Sequence, residues 1–269
     1  MPESSTPSRT VPVSSLTGVA IVTGGDSGIG RATVLAFAAD GVKVGFLYHS
    51  DDAGAAETVK LVEDAGGAVV SVKGDVGDEA DVERLFATAE EKFGPVNILV
   101  NNAGIDGSGT PVAEMELKTW ERSIRTNLTG PFLCCRRFIR GFQPGDRRGK
   151  IVNVTSVHEE IQRAGSAEYG ASKGGLRNLT RTLSLELGRK GISVTNVGPG
   201  MILTPMNQDA IDDPKILAEN ASHIPMDRAG TSDEVAGLIR FLASPAGDYC
   251  TGSSYFIDGG LMMNVGQGA

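Results

Sequence analysis

Cysteine is scarce. Three residues in 269, Cys134, Cys135 and Cys250, two of them adjacent, make no disulfide framework. A reducing compartment follows, and a cytoplasmic location is expected. No apolar run approaches the roughly 20 residues of a membrane span, so no membrane partner is expected. The N-terminal stretch with Pro2, Ser4, Ser5, Pro7 and Ser8 lacks the apolar core of a signal peptide. Residues 1–16 read instead as a disordered lead, native or a cloning remnant. Basic charge is short as well: 25 Lys and Arg face 33 Asp and Glu, a net charge of -8. Nucleic acid is set aside as a partner, because phosphate binding needs a cationic face. The cluster Arg136, Arg137, Arg140, Arg147 and Arg148 is a local exception, read as a solvated helix end or a subunit contact. No composition break, internal repeat or metal site is read. One catalytic domain over 17–269 is expected, within the size range of a single α/β unit.

What is present is a rhythm. Short apolar runs at Val19–Val22, Val42–Tyr48, Ala68–Val72, Val96–Val100, Lys150–Val154, Ile192–Val197 and Ser254–Ile257 read as strands. Between them lie stretches of helical spacing: Ile29–Ala39, Ala55–Asp64, a helix capped by Asp78 or Asp81 and ending at Phe93, Trp120–Phe142, Ala167–Arg189 and Asp233–Ala243. The predicted fold is α/β: a single-domain, doubly wound, Rossmann-type parallel sheet of about seven strands with helices on both faces. Residues 200–228 break the rhythm with irregular sequence. They emerge where ligands bind in such folds, so they are read as a substrate lid.

The chemistry starts at Thr23-Gly24-Gly25-Asp26-Ser27-Gly28-Ile29-Gly30, between the first strand and the first helix. Glycine permits a tight turn and close approach of a pyrophosphate, and the helix N-terminus supplies N–H groups and positive dipole. Tyr169 and Lys173 lie four apart in a helical stretch, hence on one face. A lysine cation beside a tyrosine favours the phenolate and brings its pKa from near 10 toward the working range. Ser156, at a strand end, can donate to an oxygen where charge develops.

These residues occur in one order with Asn101-Asn102-Ala103-Gly104, Asn127, Pro199-Gly200 and Asp258-Gly259-Gly260. The set resembles the short-chain dehydrogenase/reductase family over Val19 to Gly260. The resemblance implies an NAD(P)-dependent oxidoreductase acting on CH–OH groups, with Asn127, Ser156, Tyr169 and Lys173 as catalytic tetrad. Ser156 would orient the substrate oxygen, Tyr169 move the proton, Lys173 grip the nicotinamide ribose and Asn127 hold a water. Cofactor contacts would come from Gly24, Asp26, Ser27, Gly28, Ile29 and Gly30 of the loop, and from Tyr169 and Lys173. Asp75 and Val76 would meet the adenine, Asn102, Ala103 and Gly104 the ribose channel. Pro199, Gly200, Ile202 and Thr204 would lie toward the carboxamide. At the end of the second strand Tyr48, His49 and Ser50 replace the acidic residue that selects NAD. NADP or NAD is therefore expected, leaning to NADP.

Ser156-Val157-His158-Glu159, Tyr169 to Gly175 and Ile224-Pro225-Met226 resemble bacterial glucose 1-dehydrogenases. That likeness implies a sugar or polyol substrate bordered by Asp106 and His158, together with Ser156 and Tyr169. A homotetramer is also implied. The alternatives are a 3-oxoacyl-[acyl-carrier-protein] reductase, which would favour a basic docking surface, and a non-catalytic dinucleotide-binding sensor or scaffold, which would tend to lose the tyrosine or lysine.

Overall fold

The computed structural model describes residues 16–143 and 148–264. Its strands are β1 (Val19–Thr23), β2 (Lys43–Tyr48), β3 (Val69–Lys73), β4 (Ile98–Asn101), β5 (Gly149–Val154), β6 (Ile192–Pro199) and β7 (Ser254–Ile257). They form one sheet in the order β3-β2-β1-β4-β5-β6-β7. Every neighbouring pair is parallel. All seven expected strands are present, displaced at most two residues at their ends.

Strand side chains alternate between two cores. Ala20, Val22, Ile98, Val100, Val152 and Val197 face one, and Ile21, Leu99, Ile151 and Val194 face the other. Helices cover both faces, so the central strands are apolar on both sides. The first core is closed by α1 (Gly28–Ala39), α2 (Asp52–Asp64) and α9 (Ser232–Ala243) through Val34, Phe37, Val62, Val235 and Ile239. The second is closed by α3 (Glu79–Phe93), α5 (Gly130–Gly141) and α6 (Ala167–Leu187) through Leu85, Phe86, Phe138 and Leu183. Cys134 and Cys135 are buried here as free thiols. Leu16 also belongs to the first core at 1% exposure, so the lead assigned to 1–16 reaches one residue too far; the rest of it lies outside the described residues.

Several helix ends differ from the reading of the sequence, each for a local reason. Asp51 accepts from the Gly54 N–H at 2.9 Å, which starts α2 at Asp52 rather than Ala55. Asp78 caps α3 by accepting from Ala80 and Asp81, while Asp81 itself accepts from the Asp75 N–H at 2.8 Å. The long helix expected over Trp120–Phe142 is three segments: α4 (Leu117–Ile124), a π-helical turn (Arg125–Thr129), and α5. Nor is 200–228 wholly irregular. It contains α7 (Gln208–Asp212) and α8 (Pro214–Ser222), the latter capped by Asp213 with Pro214 in its first turn.

Within the arginine cluster, Arg136 and Arg137 are held in ion pairs rather than left as a solvated helix end. Arg136 pairs with Glu79, and Arg137 with Glu83 at 2.8 Å and Glu90 at 2.6 Å, tying α5 to α3. Arg148 reaches Asp248 at 3.4 Å, and Arg147 lies outside the described residues. Among the described residues no helix is long and apolar enough to cross a membrane.

Candidate active site

Strand order reverses between β1 and β4, and a cleft of about 690 Å³ opens beyond their carboxyl ends. Its floor is the glycine loop. Gly24 takes φ 68° and Gly28 φ 52°, conformations that disfavour a side chain. A Cβ on Gly30 would stand 1.8 Å from the Gly24 carbonyl oxygen, so only glycine lets the helix start this close to the strand. The loop is braced by β4: Asn102 Nδ2 donates to the carbonyls of Thr23 (3.0 Å) and Gly24 (3.1 Å). Thr23 Oγ1 accepts from the N–H groups of Asn102 and Ala103, both at 3.0 Å. Ser27 precedes α1 without a side-chain cap, which leaves the first N–H groups of a 12-residue helix facing the cleft. Uncapped donors, a positive helix end and a wall without side chains fit a dinucleotide pyrophosphate.

At the far end, β2 finishes in Tyr48, whose hydroxyl donates to Asp52 at 3.0 Å. Lys73 also reaches Asp52, at 2.7 Å, and the two neutralise one another at the surface. Asp26 and Asp51 line the same end. Half-burial raises the pKa of Asp26, and the charge of Asp51 adds to that rise.

The candidate acid/base group lies near the middle. Tyr169 and Lys173, one turn apart on α6, are 7% and 4% exposed. Lys173 Nζ sits 5.5 Å from the Tyr169 ring centroid and donates to the Val154 carbonyl at 3.0 Å. Burial drives both groups toward their neutral forms. The Tyr169 phenol is pushed up to about 12, with burial outweighing the hydrogen bond from Ser156 that opposes it. The Lys173 ammonium is pulled down to about 8 by burial, against the opposing charges of Glu159 and Asp106. Burial thus moves the Tyr169 phenol away from the phenolate-favouring balance expected from the sequence.

Asn127 stands in the π-helical turn, set back from the cleft wall. Its Oδ1 accepts from the Ile105 N–H at 2.8 Å, and its Nδ2 donates to the Ile105 carbonyl at 2.9 Å and to Ser172 Oγ at 3.2 Å. The side chain thus braces the loop after β4 against α6.

The mouth is built by two loops. Asp106 accepts from Arg163 at 3.0 and 3.1 Å and from the Gly107 N–H at 2.7 Å. Arg163 is itself held by donating to Ser166 Oγ at 2.8 Å. Glu168, buried beside Tyr169, accepts from the Ser108 N–H at 2.6 Å. His158 stands behind the wall: its ring meets Tyr169 edge-on with centroids 5.8 Å apart. Its Nδ1 lies 3.0 Å from the Ile161 carbonyl; a carbonyl only accepts, so Nδ1 carries the hydrogen.

Comparison with known proteins agrees with this geometry. Residues 24–262 match the family model described as Enoyl-(Acyl carrier protein) reductase. The 3beta-hydroxysteroid dehydrogenase 1 of Eggerthella lenta is 42% identical over 246 residues, 91% of this chain and 94% of that one. Glucose 1-dehydrogenase 2 of Bacillus subtilis is 38% identical over 253 residues, 94% and 98% of the two chains. A dehydrogenase/reductase from Sinorhizobium meliloti superposes with a TM-score of 0.86 at 33% identity, covering 93% and 98%. The chain belongs to the short-chain dehydrogenase/reductase family. It is an oxidoreductase with the family's Rossmann-type sheet.

Most residues expected to serve a short-chain dehydrogenase/reductase line the cleft; Gly30, Asn127 and His158 stand back from its wall. Sequence reasoning missed Arg122, Arg125, Met206 and Asn207, which also line it. It missed Arg163, Glu168 and the buried Glu159 as well. Nothing local marks these: an arginine or glutamate in a loop or helix is solvated unless the fold encloses it.

Proposed function

We propose that the protein oxidises a sugar or polyol hydroxyl, and reduces the corresponding carbonyl, with NADP or NAD. The observation that carries the reading is a buried Tyr169, sharing the cleft wall with Ser156 and with the Lys173 ammonium 5.5 Å from its ring centroid, at the centre of a cleft floored by an uncapped helix N-terminus. The nicotinamide supplies the hydride acceptor or donor when bound. In oxidation the ionised Oη of Tyr169 takes the hydroxyl proton and becomes the phenol as the C–H pair leaves as hydride, giving a carbonyl; Ser156 Oγ donates to that oxygen. Lys173 places a positive charge beside the phenol and can donate to the ribose. Asp106, with Arg163 paired to it, supplies a polar rim of the kind a polyol needs.

Tyr48 at the end of β2, Asp52 at the start of α2 and Lys73 at the end of β3 support NADP as at least an equal cofactor. Tyr48 stands where a carboxylate would exclude a 2′-phosphate, and Lys73 neutralises Asp52 next to it. A second substrate reading, a bulky apolar alcohol, is favoured by Ile202 and Met206 on the cleft wall and by the likeness to a steroid dehydrogenase. A spectrophotometric panel of aldoses, polyols, a 3-hydroxysteroid and a 3-oxoacyl thioester, each with NAD and NADP, tests all of this. Highest kcat/KM on an aldose with NADP at least equal to NAD is expected. A steroid or thioester leading by tenfold would replace the sugar reading.

A further inference from the structure

The reacting groups are divided between two bodies. Ser156 follows β5 and belongs to the sheet, whereas Tyr169 and Lys173 ride on α6. Tyr169 Oη and Ser156 Oγ must converge on one substrate oxygen, so the height of α6 along the sheet decides whether they do. The buried stripe of α6 runs Tyr169, Lys173, Leu176, Thr180, Leu183 and Leu187, spaced three and four apart. Its leucines pack through contacts that have no direction, which fill space but tolerate sliding. Thr180, two turns beyond Lys173 and 0% exposed, interrupts them with a hydroxyl.

Both hydrogen-bonding functions of that hydroxyl are used. Its Oγ1 accepts from Asn153 Nδ2 of β5 at 2.7 Å and donates to Asn196 Oδ1 of β6 at 2.5 Å. Asn153 and Asn196 are direct cross-strand partners, and each is held from its far side. Asn101 of β4 donates to Asn153 at 2.8 Å, and Asn196 donates to Ser254 of β7 at 3.0 Å. The row crosses four strands in register, and its three asparagines are no more than 2% exposed. Buried amides cost free energy unless they are paired, and valine would fill such positions without that cost. What the amides and the hydroxyl add is direction: their bonds close only when Thr180 lies between β5 and β6 at one height. Asn153 stands three residues before Ser156, so the same strand carries the anchor and the oxygen donor. A helix is stiff along its axis, and a height fixed at Thr180 is carried to Tyr169, about 16 Å away. The other tie, from Lys173 to the Val154 carbonyl at 3.0 Å, ends on a group that the chemistry itself uses. We infer, resting on the catalytic reading of Tyr169 and Ser156, that Thr180 is a positioning residue: it pins α6 to β5 and β6 so that those two side chains meet on one oxygen.

Thr180→Val keeps the shape and removes the hydroxyl, and Thr180→Ser keeps the hydroxyl and removes a methyl. Both full-length variants are assayed on the best substrate of the panel, with kcat taken per folded molecule and the folded fraction read by circular dichroism. Thr180→Val should lose kcat by about 10- to 100-fold, the cost of misplacing a reacting group on the ångström scale. Its dissociation constant for the dinucleotide, read by fluorescence titration, should move by less than about twofold, because the glycine loop lies on β1 and α1, away from the row. Thr180→Ser should restore most of the lost kcat. In a Tyr169→Phe background Thr180→Val should cost little more, because the group it places is already gone. Unchanged kcat in folded Thr180→Val, a serine variant as slow as the valine one, or equal losses in kcat and dinucleotide affinity would overturn the assignment and leave Thr180 a packing residue. If Thr180→Val does not fold, Thr180→Cys, whose thiol is a weak donor and acceptor, is judged by the same criteria. Tyr169→Phe alone separates the two readings. Full turnover in it ends the catalytic reading, whereas its loss of turnover beside full turnover in Thr180→Val ends the pin.

Discussion

Tyr169 is held further from ionisation than a tyrosine in water, and so the missing stabilisation has to come from what binds beside it. The phenol sits at about 12 and its lysine neighbour near 8. Tyr169→Phe should therefore remove turnover by about 10²–10⁴-fold, the usual worth of a positioned acid/base, while dinucleotide binding followed by fluorescence titration stays near wild type. Retention of more than about a tenth of kcat would take the role from Tyr169. The depressed Lys173 carries a pH sign of its own. Its folded value lies below its ordinary 10.5, so its charge costs stability fully below pH 8, and the cost is relieved as pH rises from 8 toward 10.5. Lys173→Met should therefore gain stability over wild type at pH 6.5 and lose that advantage by pH 10.5, read from unfolding midpoints. At the mouth, Asp106→Ala and Arg163→Ala each break one pair, and each should raise KM for a polyol by about 0.5–3 kcal/mol in binding. Kinetics on a small apolar ketone should hardly change, and equal damage to both substrates would point to distortion of the loop instead.

Among elements, the break between α4 and α5 is the informative one. A π-helical turn shifts the register of the helix, and Asn127 uses that shift to hold both polar groups of Ile105. The loop after β4, which carries Asp106, is thereby tied to the helix that carries Tyr169. Asn127→Ala leaves two partly buried backbone groups unpaired, and should cost about 1–3 kcal/mol for each group that finds no water. The measurement is the denaturant midpoint, with kcat falling as the loop loosens; a midpoint within experimental scatter of wild type would show the brace to be dispensable. Helix α9 is secured differently, by a reciprocal capping box between Thr231 and Glu234 and by a pair from Arg240 to Asp40 at the end of α1.

On the scale of the assembled protein, exposed apolar side chains lie outside the cleft. Trp120 and Phe132 are 38% and 44% exposed, and Leu185 is 86% exposed. The homotetramer that the family resemblance implies is proposed to cover them through the faces of α4, α5 and α6. Light scattering at micromolar concentration should give about four times the 28.0 kDa chain mass; a monomer mass would refute the assembly. Leu185→Glu should then shift the equilibrium toward smaller species while leaving the monomer fold intact, because it places charge in a closed apolar contact.

Much of this architecture was legible residue by residue. Seven apolar runs and the helices between them follow from period and turn chemistry, which act over a few neighbours, and so the sheet and the loop Thr23–Gly30 could be named at once. The spacing of four put Tyr169 and Lys173 on one helical face, but their catalytic role was legible only from the resemblance of the whole set of motifs to the family. Other features depend on which distant side chains are brought together. Asp106 meets Arg163 across 57 residues, and Asn101 meets Asn153 across 52. Any of several arginines could have faced Asp106, and no local pattern selects among them. Burial works likewise: whether Glu159 is a solvated loop carboxylate or an enclosed one is set by how β7 and α6 close over it. Local chemistry thus chose the elements and the reacting groups, whereas enclosure, which sums contributions from the whole sheet, chose their charges and their partners.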